Sequence, residues 1–374
     1  MFGTVFGPRL NIAVLGGTGW VGRHLCALLA EEGHRVLAVA RNPVRHRGGP
    51  GFRALDLDTA TTATIADLLY AERIGVVVNA TDGANATDGW DRSPAELACV
   101  NVDAVHRLLA AVTRLPWTPR LVHIGTIHEY GPVPPGTAVD EATPPRPATA
   151  YARTKLAGSQ AVLDASARGA VDGIVLRLTN VCGPYPSPVS FPGKLLDLLR
   201  DAAAGRTAEL TVTGDRRDFV DVRDVAEATA RAVRSPVAGC AVNIGQGVAV
   251  EIRDLVTHLI DVAELPAAAV AVRERPVSGF GGDWIQSDIR LARRLLGWRP
   301  RFGLRESLRD MWVAGMADPD DDRRPVGVAG GAGRGRGGTG RGSGRTGGAG
   351  GAAGRVRADG GTGPAPRTDD RVRG

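Results

Sequence analysis

The sequence predicts an α/β fold built on a doubly wound parallel sheet. In the first half of the chain, short and continuously apolar segments alternate with segments of helical periodicity. Strands that are apolar throughout belong to a sheet covered by helices on both faces, which requires parallel strands joined by helices. The predicted strands are 10–15, 35–40, 52–55, 74–80, 120–125 and 173–178, and the predicted helices are 19–33, 94–114 and 151–169.

The pattern changes after residue 180. Pro and Gly cluster in "CGPYPSPVSFPG", and short helices and strands then intermix to about residue 316. We interpret 181–316 as a smaller, irregular substrate-binding region, with part of the chain returning to the sheet. Residues 317–374 are rich in Gly and Arg and nearly free of large apolar side chains, so they cannot bury a core and are predicted to be a disordered tail.

The charge distribution argues against nucleic acid as a ligand of the folded part. The net charge is +6, but 11 Arg and 3 Asp after residue 322 give that segment +8, so the rest of the chain carries −2. The four cysteines lie far apart, and no spacing suggests a metal site. With neither a long apolar run nor a signal-peptide pattern, the chain is expected to be cytoplasmic and away from membranes.

A glycine-rich loop follows the first predicted strand. "GGTGWVG" places Gly16, Gly19 and Gly22 between that strand and the first helix, with Trp20 and Val21 at the helix start. Glycine permits a tight turn and a close approach of backbone N–H groups to a pyrophosphate, and the helix N-terminus favours its negative charge. The loop therefore predicts a Rossmann-like dinucleotide-binding domain over residues 1–180.

The end of the second strand favours NADP over NAD. An NAD site usually carries Asp or Glu at this position, where it binds the ribose 2′-hydroxyl. Here "ARNPVR" supplies Arg41 and, further on, Arg45. A guanidinium suits a 2′-phosphate, so NADPH is the favoured cofactor and NAD the alternative.

The stretch "YARTK" pairs Tyr151 with Lys155 on one helix face. Of 46 basic residues in the chain, only Lys155 and Lys194 are lysines. A free phenol titrates near pH 10, and an adjacent ammonium is expected to lower that pKa towards neutrality. The same ammonium can hold a nicotinamide ribose, and arginine has the wrong shape for this. The pair predicts a proton donor and the group that tunes it.

These motifs resemble the extended short-chain dehydrogenases/reductases, the superfamily of sugar-nucleotide epimerases, dehydratases and reductases. The resemblance covers roughly residues 10–312. It implies that Thr126 in "HIGTIHEYG" hydrogen-bonds a substrate carbonyl and that Asn101 in "CVNVDAV" belongs to the catalytic set with Tyr151 and Lys155.

The resemblance also implies further binding residues. It places Asp56 in "ALDL" near the adenine, and Leu57 and Ala80 complete the predicted cofactor-binding set. "LRLTNVCGP", "RRDFVDVRDVA" and "RERP" match segments that bind a sugar nucleotide. The predicted substrate-binding residues are Thr126, His128, Asn180, Arg217 and Arg275.

The residues after Thr126 separate the reactions of the superfamily. Its 4,6-dehydratases carry Asp-Glu there, whereas this chain has Ile127 and His128, so dehydration is not expected. The sequence most resembles C4-ketoreductases of actinomycete deoxysugar and antibiotic biosynthesis. It predicts NAD(P)H-dependent reduction of the C4 ketone of a nucleotide-linked 4-keto-6-deoxyhexose. A dTDP-linked sugar is the favoured substrate, and the resemblance allows a homodimer.

Two alternatives stay open. The first is an NAD-dependent sugar-nucleotide 4-epimerase, which returns the hydride to the same sugar. The second is a non-catalytic NADP-binding redox sensor whose Arg/Gly tail contacts nucleic acid.

Overall fold

The computed structural model describes residues 8–43, 51–82, 92–274 and 283–317. A sheet of seven parallel strands has the order β10-β6-β5-β4-β1-β2-β3. Its strands are β1 (Asn11–Leu15), β2 (Arg35–Ala40), β3 (Gly51–Ala54), β4 (Val76–Asn79), β5 (Arg120–Thr126), β6 (Asp172–Leu178) and β10 (Ala241–Ile244). The predicted parallel α/β sheet is confirmed.

Helices cover both faces of this sheet, which explains why its strands are apolar throughout. In β1, Ile12 and Val14 pack in a core with the helices α1 (Trp20–Glu31), α7 (Val222–Arg234) and α9 (Arg290–Leu296). The intervening Ala13 and Leu15 face the opposite core, because successive strand side chains alternate. That second core is formed with α2 (Thr62–Ala71), α4 (Ala104–Val112) and α5 (Ala150–Ala167).

One predicted helix needed correction, and one helix was not predicted. The helix predicted over 94–114 is divided into α3 (Pro94–Ala98), a π-helical turn (Cys99–Asp103) and α4. The helix α2, which joins β3 to β4, was not predicted, because Thr62, Thr64 and Ile65 in its first turn are β-branched and weaken the helical signal. Thr61 caps it through a hydrogen bond from the Thr64 amide, which satisfies one of the free amides of its first turn.

The remaining elements form a smaller layer beside the carboxyl ends of the sheet. The strands β7 (Asn180–Cys182), β9 (Arg216–Asp221) and β11 (Ala249–Glu251) pair with one another, as do β8 (Ala208–Val212) and β12 (Val270–Glu274). The helices α6 (Phe191–Ala203), α8 (Ile252–Val262) and α10 (Leu304–Met316) pack around a third apolar core. Of the predicted tail, only Ala317 lies within the described residues.

The sheet order reverses between β4 and β1. The chain leaves β1 towards β2 and β3 and then returns to β4 on the other side. Ligands of doubly wound sheets bind at the carboxyl ends of the strands beside such a switch point. Among the helices of the described ranges, none is long and apolar enough to cross a membrane.

Candidate active site

A cavity of about 900 Å³ lies at the carboxyl edge of the sheet, beside the switch point. It collects side chains and backbone that are far apart in sequence. The predicted site residues that line it are Gly16, Gly19, Trp20, Val21, Gly22, Arg41, Asp56, Leu57, Ala80, Thr126, His128, Tyr151, Lys155, Asn180 and Arg217. Asn101 is not among the lining residues, and Arg275 lies outside the described residues, as does Arg45.

The glycine loop has a conformation that only glycine permits at two positions. Gly16 has a φ of 76°, and a Cβ there would lie 2.7 Å from the Ala80 carbonyl oxygen. A Cβ at Gly22 would overlap the Gly16 carbonyl oxygen. The N-cap residue of α1 is Gly19, which has no side chain to accept hydrogen bonds from the first amides. These amides belong to residues that line the cavity, and they carry the partial positive charge of the helix N-terminus. The loop fits the pyrophosphate of a dinucleotide.

The segment after β3 forms the end of the cavity where the resemblance places the adenine. Asp56 Oδ1 accepts a hydrogen bond of 3.1 Å from the Asp58 amide, which closes a local turn. From α4, Arg107 Nη2 donates to the carbonyl oxygens of Leu57 and Asp58 at 2.7 and 3.1 Å. Sequence reasoning missed Arg107, because its partners are backbone atoms some 50 positions away. Arg41, which is exposed at the end of β2, lines the same part of the cavity.

Tyr151 lies at the start of α5 and is only 8% exposed. Its hydroxyl donates a hydrogen bond of 2.9 Å to Asp82 Oδ2, in the segment that follows β4. Burial first, and then the negative charges of Asp82 and Glu129, raise the pKa of Tyr151 well above 10. The expectation that this pKa is lowered towards neutrality is therefore wrong for this structure. Asp82 was not singled out from the sequence.

Lys155 is buried one helical turn further along α5. Its Nζ donates a hydrogen bond of 2.7 Å to the Ile124 carbonyl oxygen of β5. The ammonium is thus held between α5 and the sheet, at the cavity that Tyr151 also lines. Its position fits the predicted contact with a nicotinamide ribose, while the raised pKa of Tyr151 reflects burial and nearby carboxylates.

Thr126 ends β5 and begins a 3₁₀ turn (Ile127–Tyr130) with a capping box. Its amide donates a hydrogen bond of 3.0 Å to Glu129 Oε1. The same oxygen accepts a hydrogen bond of 2.8 Å from Ser159 Oγ of α5. Glu129 Oε2 forms a buried ion pair of 2.7 Å with Arg177 of β6. The pattern Thr-x-x-Glu is a capping-box signature that could have indicated Glu129 from sequence. The network fixes Thr126 relative to α5 and β6.

Asn101 lies in the π-helical turn and supports α5 from outside the cavity. Its Nδ2 donates a hydrogen bond of 3.1 Å to Thr154 Oγ1. Thr154 Oγ1 in turn donates a hydrogen bond of 2.9 Å to the Tyr151 carbonyl oxygen. A Cβ at Gly158 would overlap the Asn101 carbonyl oxygen, so the turn and α5 are in direct backbone contact. The structure places Asn101 where it positions the helix of Tyr151 and Lys155.

The other end of the cavity contains His128, Asn180 and Arg217. Burial, and then the charge of Arg217, lower the pKa of His128 to about 4, so this imidazole is neutral at pH 7. Asn180 Nδ2 donates a hydrogen bond of 3.2 Å to the Asp218 carbonyl oxygen. Arg217 Nη2 forms an ion pair of 2.7 Å with Asp215, which also lines the cavity. A guanidinium at this depth fits a phosphate-bearing substrate.

The glycine loop and the Tyr151, Lys155 and Thr126 set define an oxidoreductase with a dinucleotide cofactor. A family model described as the NAD dependent epimerase/dehydratase family matches residues 12–245. The chain belongs to this family and is an NAD(P)-dependent oxidoreductase of the extended short-chain dehydrogenase/reductase type.

Three relatives illustrate the similarity. A dTDP-6-deoxy-L-talose 4-dehydrogenase (NAD(P)(+)) of Kitasatospora kifunensis is 39% identical over 83% of this chain and 96% of its own. A UDP-glucose 4-epimerase of Rhizobium leguminosarum bv. trifolii is 26% identical over 81% and 96%. The structure of MoeE5 in complex with UDP-glucuronic acid and NAD superposes with a TM-score of 0.71 at 28% identity, covering 81% and 98%.

These findings support the broader functional prediction, an NAD(P)-dependent enzyme that modifies sugar nucleotides. They identify an enzyme rather than the non-catalytic sensor.

Proposed function

We propose that this enzyme uses NAD(P)H, with NADPH preferred, to reduce the C4 ketone of a nucleotide-linked 4-keto-6-deoxyhexose. The observation that carries the proposal is the cavity itself, in which Tyr151, Thr126 and Lys155 adjoin the glycine loop at one end and Arg217 at the other. The relative from Kitasatospora kifunensis, named as a 4-dehydrogenase of a dTDP-6-deoxyhexose, acts on the alcohol side of the same kind of redox pair.

The residues have separate tasks in this reaction. A bound reduced nicotinamide supplies the hydride. The Thr126 hydroxyl donates a hydrogen bond to the C4 carbonyl oxygen, keeps its proton and orients the ketone. Tyr151, held as a phenol, donates its proton to that oxygen as the C4–H bond forms. Lys155 holds the ribose and keeps α5 fixed through its bond to the Ile124 carbonyl oxygen.

The neighbourhood of Thr126 supports reduction over dehydration. Ile127 is buried and has no proton to exchange, and His128 is neutral at pH 7 because its pKa is about 4. An acid–base pair for removing water needs a proton donor and a proton acceptor beside the substrate. We therefore assign His128 the role of a substrate contact near Arg217 and not that of a general acid.

Arg41 supports the preference for NADPH. It follows β2, where an acidic residue would hold the ribose 2′-hydroxyl of NAD, and it lines the cavity with its cationic side chain. A guanidinium forms charge-assisted hydrogen bonds with a phosphate. We expect the preference for NADPH over NADH to depend on this side chain.

A substrate panel tests the proposal. Purified protein is given NADPH, or NADH in parallel, with enzymatically prepared dTDP-4-keto-6-deoxyglucose and its deoxygenated or epimerised derivatives. Cofactor oxidation is followed by absorbance, and the product configuration is determined by NMR. Absence of turnover with every 4-ketosugar nucleotide of the panel contradicts the proposal.

The matched variants are Tyr151→Phe and Tyr70→Phe. Loss of the phenolic proton is expected to reduce kcat by about 10²- to 10⁴-fold, the usual contribution of an acid catalyst, with little change in NADPH affinity. Tyr70 is 59% exposed on α2, and its variant is expected to keep full activity. Equal activity of the two variants contradicts the role of Tyr151.

An NAD-dependent 4-epimerase is the second candidate. UDP-glucose 4-epimerases are among the relatives, and the structure of MoeE5 contains NAD with a UDP-sugar. The candidate predicts that NAD co-purifies with the protein and that UDP-sugars interconvert with no net change in cofactor redox state. Analysis of the cofactor released by acid from the purified protein distinguishes it from the reductase.

A further inference from the structure

Asp82 is a site residue that neither the sequence motifs nor the family resemblance indicates. It follows β4 at the carboxyl edge of the sheet and lines the cavity together with Thr126, Tyr151 and Lys155. The Tyr151 hydroxyl donates its hydrogen bond to Asp82 Oδ2 over 2.9 Å. A phenol has a single proton, and a carboxylate accepts but does not donate when ionised. In this structure the hydroxyl proton of Tyr151, the proposed acid catalyst, therefore forms its hydrogen bond with Asp82.

We propose that Asp82 is a positioning residue whose carboxylate holds Tyr151 as the neutral phenol and thereby favours proton donation over proton removal. The inference rests on the proposed ketone reduction. In that direction C4 gains a hydride, the carbonyl oxygen gains the Tyr151 proton, and the resulting phenolate takes a proton from solvent. Oxidation of the alcohol requires the opposite state, a phenolate that accepts the hydroxyl proton. A negative neighbour disfavours that state.

Among the charged groups around Tyr151, Asp82 has the largest effect on the pKa of its hydroxyl. Burial raises the pKa of Tyr151 most, Asp82 follows through both its charge and its hydrogen bond, and Glu129 contributes more weakly. Thr126 acts in the opposite direction and lowers this pKa.

The remaining groups of the cavity surround this contact. Lys155 Nζ donates to the Ile124 carbonyl oxygen, and His128 is neutral at pH 7. The other titratable residues that line the cavity are Arg41, Asp56, Asp58, Arg92, Asp215 and Arg217. Asp82 contacts the Tyr151 hydroxyl directly, at 2.9 Å.

The first experiment is a tyrosine titration of the full-length protein and of its Asp82→Asn variant. Ionisation is followed by the ultraviolet difference spectrum of tyrosinate, and the signal of Tyr151 is assigned by subtracting the same titration with Tyr151→Phe. The amide keeps the shape of the carboxylate and removes its charge. We expect the midpoint for Tyr151 to fall by about 1 to 2 pH units, the usual effect of one nearby charge.

Two variants serve as controls of this titration. Asp67→Asn removes a carboxylate from the exposed face of α2 and is expected to leave the midpoint unchanged. Asp82→Glu keeps the charge and is expected to retain a midpoint closer to that of the wild type. If Asp82→Asn fails to fold, as judged by circular dichroism, Asp82→Ser is titrated in the same way.

The second experiment separates tuning of Tyr151 from a purely structural role. The pH profile of kcat/KM is measured for ketone reduction and for oxidation of the product alcohol. In Asp82→Asn, the alkaline limb of reduction and the rising limb of oxidation are both expected at lower pH. A structural role would lower the rates and leave both limbs in place.

Two results would overturn the inference. The first is a Tyr151 midpoint that is equal in the wild type and in Asp82→Asn, and the second is a pair of limbs that do not move. The titration requires no sugar substrate, so it distinguishes a failure of this inference from a failure of the proposed reaction. A shifted midpoint in a protein that reduces no 4-ketosugar would retain the electrostatic role of Asp82 and reject only the substrate class.

Discussion

The two ends of the cavity are held in place by different means. At the cofactor end, the loop 16–22 is fixed by backbone contacts that exclude any Cβ at Gly16 and Gly22. Behind the substrate end, loops that do not line the cavity are fixed by buried carboxylates of the segment "RRDFVDVRDVA", which also carries Arg217. Asp218 accepts hydrogen bonds from the amides of Gln246, Gly247 and Ser287 and from the Ser287 hydroxyl.

Two further aspartates of this segment act in the same way. Asp221 caps α7 and accepts the hydroxyl of Ser307. Asp224 accepts the amides of Arg301 and Phe302, each at 3.0 Å. Close backbone packing thus fixes the cofactor loop, whereas buried carboxylates fix the loops behind the substrate end. We expect substitutions at the two ends to differ accordingly.

Gly22→Ala is expected to have the largest effect. The new methyl group would overlap the Gly16 carbonyl oxygen, so the loop or α1 must move. We expect a loss of about 3 kcal/mol in the free energy of unfolding, the upper end of the usual cost of overpacking a core, together with loss of NADPH binding. Urea denaturation and NADPH fluorescence measure the two effects. Gly303→Ala is the control, because nothing lies within 4 Å of a Cβ there; similar losses in both variants would refute the role of shape.

Asp218→Ala comes next and acts at the substrate end. It leaves the amides of Gln246, Gly247 and Ser287 without their acceptor. Loss of a buried acceptor is expected to lower the free energy of unfolding by about 2 kcal/mol, and the KM of the sugar nucleotide should rise while NADPH affinity is retained. Asp261→Ala, on the exposed side of α8, is expected to change stability by less than about 0.5 kcal/mol. A variant with unchanged KM and stability would show that the carboxylate does not hold these loops.

Asp224, behind the cavity, makes the stability of the protein depend on pH. Burial raises its pKa to about 6, so the folded protein binds this proton more tightly than the unfolded chain does. The contribution of Asp224 to stability therefore falls as pH rises from about 4 to about 6. Asp224→Asn is expected to remove a slope of up to about 1.4 kcal/mol per pH unit from the free energy of unfolding in this window.

Urea unfolding at a series of pH values measures that slope. Asp254→Asn, which is exposed on α8, is the matched control and should follow the wild type. Parallel curves for the wild type and Asp224→Asn would contradict the raised pKa.

The smallest effects are expected from the two arginines that face the ligands. Arg41→Ala should raise the KM for NADPH about tenfold, which corresponds to about 1.4 kcal/mol of binding free energy. The KM of the sugar nucleotide should stay unchanged. Arg217→Lys should do the reverse, because a lysine cannot hold Asp215 and a phosphate with the same fork. Steady-state kinetics with each substrate varied measure both. A rise in both constants in either variant would mean that the two ends of the cavity are not independent.

Several features of the site could not be obtained from local sequence patterns. Asp82 and Tyr151 are 69 positions apart, and Arg107 contacts a segment about 50 positions before it. No periodicity or motif brings such residues together. The lowered pKa expected for Tyr151 was wrong for the same reason, because burial and Asp82 outweigh the effect expected of a lysine one turn away.

Local sequence patterns were enough to predict the parallel sheet, the glycine loop and the candidate catalytic groups. They were enough because apolar runs, glycines at a turn and a Tyr–Lys spacing reflect constraints that act within a few residues of one another. The buried surroundings of Tyr151 and the contacts of the carboxylates in residues 216–226 became visible in the folded chain alone. Charge and burial act through space, so they depend on which distant residues the fold places side by side.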